Sequence, residues 1–520
     1  MKELSRRAFL SGLAASSVLG AAALAGCSPN APGGGATPPS GGDLSNITWD
    51  DETDVVICGA GGTGLAAACA AAKAGVGVIV YDKDTKTGGT TAMSGGVIQA
   101  AGTKWQKQYT TYQDDTPEKH AQCYIKQAEG IGNEELIKSL CAGMPEALDW
   151  LAGLGINWNH VYGNNHVPFV DALGLHADRI HSYEGGGAAA GGVIMTDAEH
   201  AEAERLGAKF VFNATVNHLI PNGDKGIAGV IVTVNGQPQN IKAKRGVILA
   251  LGGIDRNEEL SRELNQQQYW NLTTQQCFIS PFATGDGIVM GLEVGAAMAT
   301  VGGTIDFDMA TGQATDNSKP QLPCVIVNRQ GKRFVCEDAT YAYQYRAIFQ
   351  QMTQLDGPTW MVLDQNMVEQ SIGPWAADPA AAVANGTLVT GNSYEELAAA
   401  MGVPVSNFVN TMALWNSNIE QYGADLEYQR NTQLIKLNKP PYYAHLNVSA
   451  NLGSLGGLRI DTNAQVLNNA GNPIPHLFAG GMNSGGWYGL YYPGSGTSLA
   501  GGLHFGLVAG AKAAAADPWE

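Results

Sequence analysis

The residues best placed to do chemistry are Gly59, Gly61, Gly62 and Gly64, followed by Asp82. The glycines sit between an apolar run, Asp54–Cys58, and an alanine-rich segment from Leu65 onward. That pattern predicts a buried strand, a tight turn and a helix. At this spacing Gly59 permits the turn, Gly61 admits a pyrophosphate, and Gly64 allows close helix–strand packing. The phosphates would lie on the free N–H groups of the helix N-terminus. A second apolar run, Val76–Tyr81, ends at Asp82, which is placed to accept hydrogen bonds from a ribose. The arrangement predicts dinucleotide binding and leaves open which dinucleotide.

The next stretch, Lys86 to Gly96, is dense in Gly, Thr and Ser, which suits close contact with phosphates or a flat ring. Helical periodicity covers 117–154 and 194–207, and strands are expected at 210–217, 229–234 and 246–251. Gly252 and Gly253 follow the last of these as its exit turn. A helix opens at 283–288. Residues 325–334 read as a hairpin, 341–352 as an aromatic helix, and 387–415 as mostly helix broken at Pro404. Short strands are expected at 456–460, 465–467 and 476–481, with a closing helix at 499–515.

The chain of 520 residues is long enough for a large core, and its 15% charged content is that of a globular protein. Ser5-Arg6-Arg7-Ala8-Phe9-Leu10, the apolar stretch after it and Leu24-Ala25-Gly26-Cys27 resemble a twin-arginine lipoprotein signal. Export and lipid anchoring at Cys27 are therefore expected, which places the protein outside the cytoplasm on the cell membrane. Residues 28–45, rich in Pro, Gly and Ser, read as a flexible linker. The net charge of −17 argues against nucleic acid as a partner. The eight cysteines show no CxxC spacing, so neither an attached haem nor an iron–sulfur site is expected. His160, His166, His176 and His181 crowd one region without ligand spacing. They read as loop histidines, and no metal is expected.

Taken together, the nucleotide loop, Thr90–Gly96, Leu249–Asn257, Ala283–Ile288, Asn328–Glu337 and the segment from Gly480 resemble the fumarate reductase/succinate dehydrogenase flavoprotein superfamily. The resemblance implies an α/β fold in which a Rossmann-type FAD-binding domain (46–276 and 446–520) is split by an inserted α+β catalytic cap domain (277–445). It also implies FAD held non-covalently by Gly59, Gly61, Gly62, Gly64, Asp82, Lys83, Gly88, Gly89, Thr90, Thr91, Ser94, Gly95, Gly96, Gly252, Asp286, Gly480, Gly481, Ser498 and Leu499.

Three cations that fumarate reductases use on their dicarboxylate are missing. Gly453 stands where the His would fall and Tyr341 where the proton-donating Arg would fall, and 491–499 contains no arginine. These segments look like those of the 3-ketosteroid dehydrogenases. That likeness implies that Tyr341 moves the proton beside a ketone, while Tyr492 O–H and Gly496 N–H polarise the ketone oxygen. Tyr343 and Tyr345 are candidates to tune Tyr341. The acid or amide that the family often carries after Ala-Gly is not matched closely at Gly480-Gly481-Met482-Asn483, where Asn483 or Ser484 could substitute in a ribityl contact. Trp487, Tyr488, Tyr491 and Tyr492 would suit a flat substrate or an ordinary apolar lining.

The expected activity is FAD-dependent reduction, or formation, of a C=C bond next to a ketone in a 3-oxosteroid or similar flat enone. The expected partner is a separate membrane electron donor or acceptor. The alternatives are a reductase of an unsaturated carboxylate (with Arg179, Arg346 or Arg459 compensating) and a non-catalytic flavin lipoprotein for electron transfer.

Overall fold

A computed structural model describes residues 44–163, 167–187, 189–299, 301–312 and 321–519. Residues 1–27, read above as an export signal, nearly all of the expected linker and His166 lie outside the described residues.

The fold is built on an eight-stranded sheet. Its strands are β1 (Asp51–Cys58), β2 (Val78–Tyr81), β3 (Lys209–Val211), β4 (Ala214–Pro221), β5 (Ile227–Val234), β6 (Gln237–Leu249), β7 (Gln465–Leu467) and β8 (Pro473–Ala479). The order is β7-β8-β6-β1-β2-β3, with β4 paired to β5 and β5 to β6. The strands β3, β2, β1, β6 and β8 run parallel. Such strands are covered on both faces, which explains why Val55–Cys58, Val78–Tyr81 and Val247–Leu249 are unbroken apolar runs, all buried. Cys58 registers with both Tyr81 and Leu249, and Leu249 with Ala479. The carboxyl ends of four strands therefore meet along one edge, where open α/β sheets hold their ligands.

Six helices matter for the site: α1 (Gly62–Lys73), α2 (Gly89–Met93), α3 (Gly192–Arg205), α4 (Asp286–Glu293), α5 (Tyr341–Gln354) and α6 (Thr497–Ala515). The helices α1 and α6 pack through glycines. A methyl group at Gly506 would sit 2.5 Å from Thr63 O, and one at Gly510 would sit 2.2 Å from Ala67 O. Small residues alone permit that approach.

A separate antiparallel sheet joins Cys324–Val327, Trp360–Leu363, Tyr442–Leu446 and Leu388–Gly391 in that order. It carries apolar clusters of its own on its two sides, around Phe408, Met412 and Trp415 and around Leu322, Leu363 and Trp375. A three-stranded sheet joins Gln276–Cys277, Ser449–Ser454 and Thr304–Asp308 in that order. It supplies one wall of the site.

Three local expectations need correction. Residues 325–334 form no ladder with one another beyond a single bridge. Cys324–Val327 pairs with Trp360–Leu363, and the tight turn after it closes through one bridge, Val327 with Arg333. Leu388–Gly391 is a strand, because it finds a partner in Tyr442–Leu446 that helical periodicity cannot reveal. His160 and His181 are strand residues, and His181 is wholly buried, bonded to Thr103 Oγ1 at 2.7 Å and to Arg179 O at 2.8 Å.

Candidate active site

Along the carboxyl edge of the large sheet opens a cavity of about 820 Å³. Gly59 makes the turn out of β1 with φ +103°, and a side chain there would collide with Ala250 O at 2.3 Å. At Gly64 a methyl group would lie 1.9 Å from Gly59 O, so this glycine sets how closely α1 approaches β1. Gly61 caps α1 without a side-chain hydrogen bond, and a methyl group there meets nothing closer than Gly88 O at 3.9 Å. Gly61, Gly62 and Thr63 at the start of α1 line the cavity, the arrangement that receives a phosphate.

Asp82 lies on the same edge. Its carboxylate accepts from Ala60 N at 2.6 Å and Asp84 N at 2.7 Å, and burial pushes its pKa up. Lys83 is held by Asp286 at 2.6 Å and Thr284 Oγ1 at 2.7 Å.

The opposite end of the chain brings the tyrosines. Arg333 is buried in a carboxylate clamp, 2.7 Å from Glu337 and 2.8 Å from Asp425, and lies over the Trp415 ring. Glu337 also accepts from Ile326 N, which fixes the turn that launches α5. Tyr341 is the first residue of that helix and is 3% exposed. Its hydroxyl oxygen lies 3.3 Å from Ser495 Oγ, and its ring meets Phe307 edge-on. Burial, with a further contribution from Tyr492, pushes the Tyr341 phenol well above its ordinary pKa of 10.

Tyr492 is also buried, and its hydroxyl oxygen accepts from Ser498 N at 3.0 Å. That bond leaves the phenol proton available to another acceptor. Burial raises its pKa too. Gly496 ends the same loop at φ +89°, directly before α6, and a side chain there would strike the backbone of Ile98 and Gln99 at 2.9 Å.

The cavity brings together nearly all the residues singled out from sequence. Gly59, Gly61, Gly62, Asp82, Lys83, Gly89, Thr90, Thr91, Ser94, Gly95, Gly96, Gly252, Gly480, Gly481, Ser498, Leu499, Tyr341, Tyr492 and Gly496 all line it. Gly64, Gly88 and Asp286 do not. Gly64 and Gly88 act through packing, Gly88 N donating to Ala60 O, and Asp286 spends its carboxylate on Lys83 and Thr284.

Other expectations change. Asn483 and Ser484 do not line the cavity: Asn483 Oδ1 accepts from Leu251 N and its amide donates to Gly252 O, so it clamps the loop after β6. Tyr343 stacks on Tyr491 at 4.3 Å, and Tyr345 donates to Asp308 at 2.8 Å. Neither tunes Tyr341, whose polar neighbours are Tyr492, Ser495 and Tyr162. Trp487 and Tyr488 are buried behind the wall, and of the four clustered aromatics Tyr492 alone reaches the cavity. Sequence reading passed over Ser495, although it sits inside the Tyr-Pro-Gly-Ser-Gly segment. Tyr162 and Phe307 carried no local signal.

One further property of the lining bears on substrate. Among the described residues it contains a single cationic side chain, Lys83, already paired with Asp286. It contains four acids, Asp82, Asp84, Glu199 and Asp255. Ile305, Phe307, Met309, Leu452 and Met482 supply an apolar wall, and a methyl group at Gly453 would meet nothing closer than 3.9 Å.

The sequence profile described as FAD binding domain matches residues 54–499. The chain belongs to this family. It is 29% identical to the digoxin reductase of Eggerthella lenta over 565 aligned positions, covering 99% of this chain and 98% of that one. The urocanate reductase of the same organism is 30% identical, covering 89% of this chain and 75% of the relative. Among solved structures, the 3-ketosteroid-Δ4-(5α)-dehydrogenase of Rhodococcus jostii with 4-androstene-3,17-dione superposes with a TM-score of 0.77 at 26% identity. That match covers 91% of this chain and 99% of the other.

The chain is an FAD-dependent oxidoreductase of the fumarate reductase and ketosteroid dehydrogenase family, acting on carbon–carbon bonds. The cavity fits that cofactor: it offers an uncapped helix N-terminus, open space over Gly61 and a carboxylate, Asp82, at the end of β2.

Proposed function

We propose that this enzyme reduces, or in reverse forms, the C=C bond next to a ketone in a flat, largely apolar molecule such as a 3-oxosteroid. The observation that carries this reading is the charge of the cavity. Among the described residues its one cationic side chain, Lys83, is already held by Asp286, so a carboxylate substrate would be desolvated without compensation. Arg179 is committed to Asp115 at 2.8 Å, and neither Arg346 nor Arg459 lines the cavity. A neutral ketone asks for hydrogen-bond donors instead, and the two tyrosines are donors.

When bound, FAD supplies the hydride chemistry at its N5. Tyr341 holds the proton destined for the carbon beside the ketone, and its raised pKa keeps that proton in place until it is needed. Tyr492 O–H and Gly496 N–H face the ketone oxygen, where enolate charge builds up, and loss of one such donor costs roughly 100-fold in rate. Phe307 and the apolar wall hold the flat body of the substrate.

The likeness of Ser5–Leu10 and Leu24–Cys27 to a twin-arginine lipoprotein signal supports the further reading of an extracytoplasmic, lipid-anchored enzyme exchanging electrons with a separate membrane partner. The testing experiment is anaerobic re-oxidation of the reduced flavin by a panel of enones and unsaturated acids. Re-oxidation by enones is expected, and re-oxidation by acids alone would overturn the reading.

A further inference from the structure

Glu199 lies on α3, is 1% exposed and lines the cavity. Among the described residues neither of its carboxyl oxygens has a hydrogen-bond partner. A buried carboxyl group with both oxygens unsatisfied is expensive, and in a native fold it calls for an acceptor or donor that binds later. The groups around it offer none. From α1, Cys69 donates its thiol hydrogen to the Glu199 backbone oxygen at 3.2 Å rather than to the carboxyl. From the neighbouring strand Ile180–Tyr183, the Tyr183 hydroxyl is spent on Gly191 O at 3.1 Å. The cavity's one cation, Lys83, is held by Asp286. Burial alone drives the Glu199 carboxyl well above the usual carboxylate range, towards its protonated form.

The position of α3 says what this proton faces. The helix runs directly beneath the Gly88–Ser94 loop: a methyl group at Gly192 would lie 1.9 Å from Thr91 O, and one at Gly88 would lie 3.3 Å from Thr196 Oγ1. Thr91 in turn touches the Cβ position of Gly62 at 2.8 Å, on the first turn of α1. Helical side chains lean towards the helix N-terminus, which carries the Glu199 carboxyl back from Cys69 towards this junction. The junction of Gly62 and Thr91 is the phosphate-receiving end of the cavity.

We propose that Glu199 is a cofactor-binding residue whose carboxyl group donates a hydrogen bond to a phosphate oxygen of FAD. An ionised acid there would repel the phosphates, whereas a neutral one adds a donor where the helix N-terminus already supplies several. The inference depends on the cofactor alone and stands apart from the identity of the substrate.

The test compares Glu199→Gln, which keeps a donor, with Glu199→Met, which keeps the size without one. The full-length chain is stripped of flavin and titrated with FAD by fluorescence and with ADP by calorimetry. Glu199→Gln is expected to bind both within a few-fold of wild type. Glu199→Met is expected to lose roughly ten- to hundredfold for both, the effect of one hydrogen bond to a charged acceptor. The melting temperature of the flavin-free Glu199→Met variant is expected to equal or exceed that of wild type, since a buried unpaired carboxyl is gone. Unchanged FAD binding by Glu199→Met would overturn the proposal. So would a loss for FAD with none for ADP, because the acid would then address a part of the cofactor other than its phosphates.

Discussion

The rings of Tyr341 and Tyr492 lie 6.1 Å apart at 46° across the cavity, yet their hydroxyls engage different partners. Tyr341 meets the side chain of Ser495, whereas Tyr492 accepts from the backbone of Ser498. Ser495 lies in the loop before α6 and Ser498 in the first turn of that helix, so a single loop–helix junction aligns two phenols for two tasks: one moves a proton and the other polarises an oxygen.

Tyr341→Phe is expected to lower turnover by about 100-fold or more while leaving the protein yellow, since general acid catalysis contributes on that scale. Because the Tyr341 pKa lies well above 10, no loss of activity from its ionisation is expected as pH rises to 9. Stopped-flow re-oxidation of reduced enzyme against pH checks both points.

Tyr492→Phe removes one carbonyl donor and is expected to cost roughly 100- to 1000-fold in kcat. Gly496→Ala is expected to impair activity more broadly, because the new methyl group meets Ile98 and Gln99 backbone at 2.9 Å and the residue holds φ +89°. Steady-state kinetics with thermal melting separates lost chemistry from a disturbed loop.

Asn483→Ala leaves Leu251 N and Gly252 O without their present partner. The loop after β6 should loosen, and FAD affinity should fall by roughly tenfold, the cost of one unmade buried hydrogen bond. Fluorescence titration of the flavin-free variant measures it.

His181 and His504 are both buried, and burial lowers each pKa to about 4. Between that value and the ordinary 6.5 the unfolded chain binds more protons than the folded one. The contribution of these two histidines is therefore greatest above pH 6.5 and falls as pH drops towards 4, by about 3 kcal/mol for each. Melting temperatures measured from pH 7.5 to 4.5 should show this slope, and His181→Gln should flatten part of it.

The elements around the nucleotide loop were legible because their signals are local. Val55–Cys58 must be a buried strand whatever it packs against, and Gly59, Gly61 and Gly64 follow from one turn and one helix start. The tyrosines were legible only through the company of Arg333, Glu337 and the glycines around Ser495. What escaped was tertiary. Leu388–Gly391 is a strand because Tyr442–Leu446 lies beside it, and Glu199 looks like a surface helix residue until α3 packs against Cys69 of α1. The amide of Asn483 fits a ligand contact on paper, but in space it reaches the backbone of the loop after β6 first.

The glycine contacts between α1 and α6 have a consequence for the order in which the enzyme is made. β1 and α1 emerge early from the ribosome, yet α1 remains uncovered on one face until Gly506 and Gly510 arrive. β6 likewise waits for β8 to complete its pairing. A nascent chain stalled before residue 473 would expose apolar sheet and helix surface, and it would lack both the aligning loop and Tyr492. Assembly of this site is thus a late event that couples cofactor capture to the last stretch of synthesis. Such non-local closure is slow, and FAD supplied during expression should raise the yield of folded enzyme more than FAD added after purification.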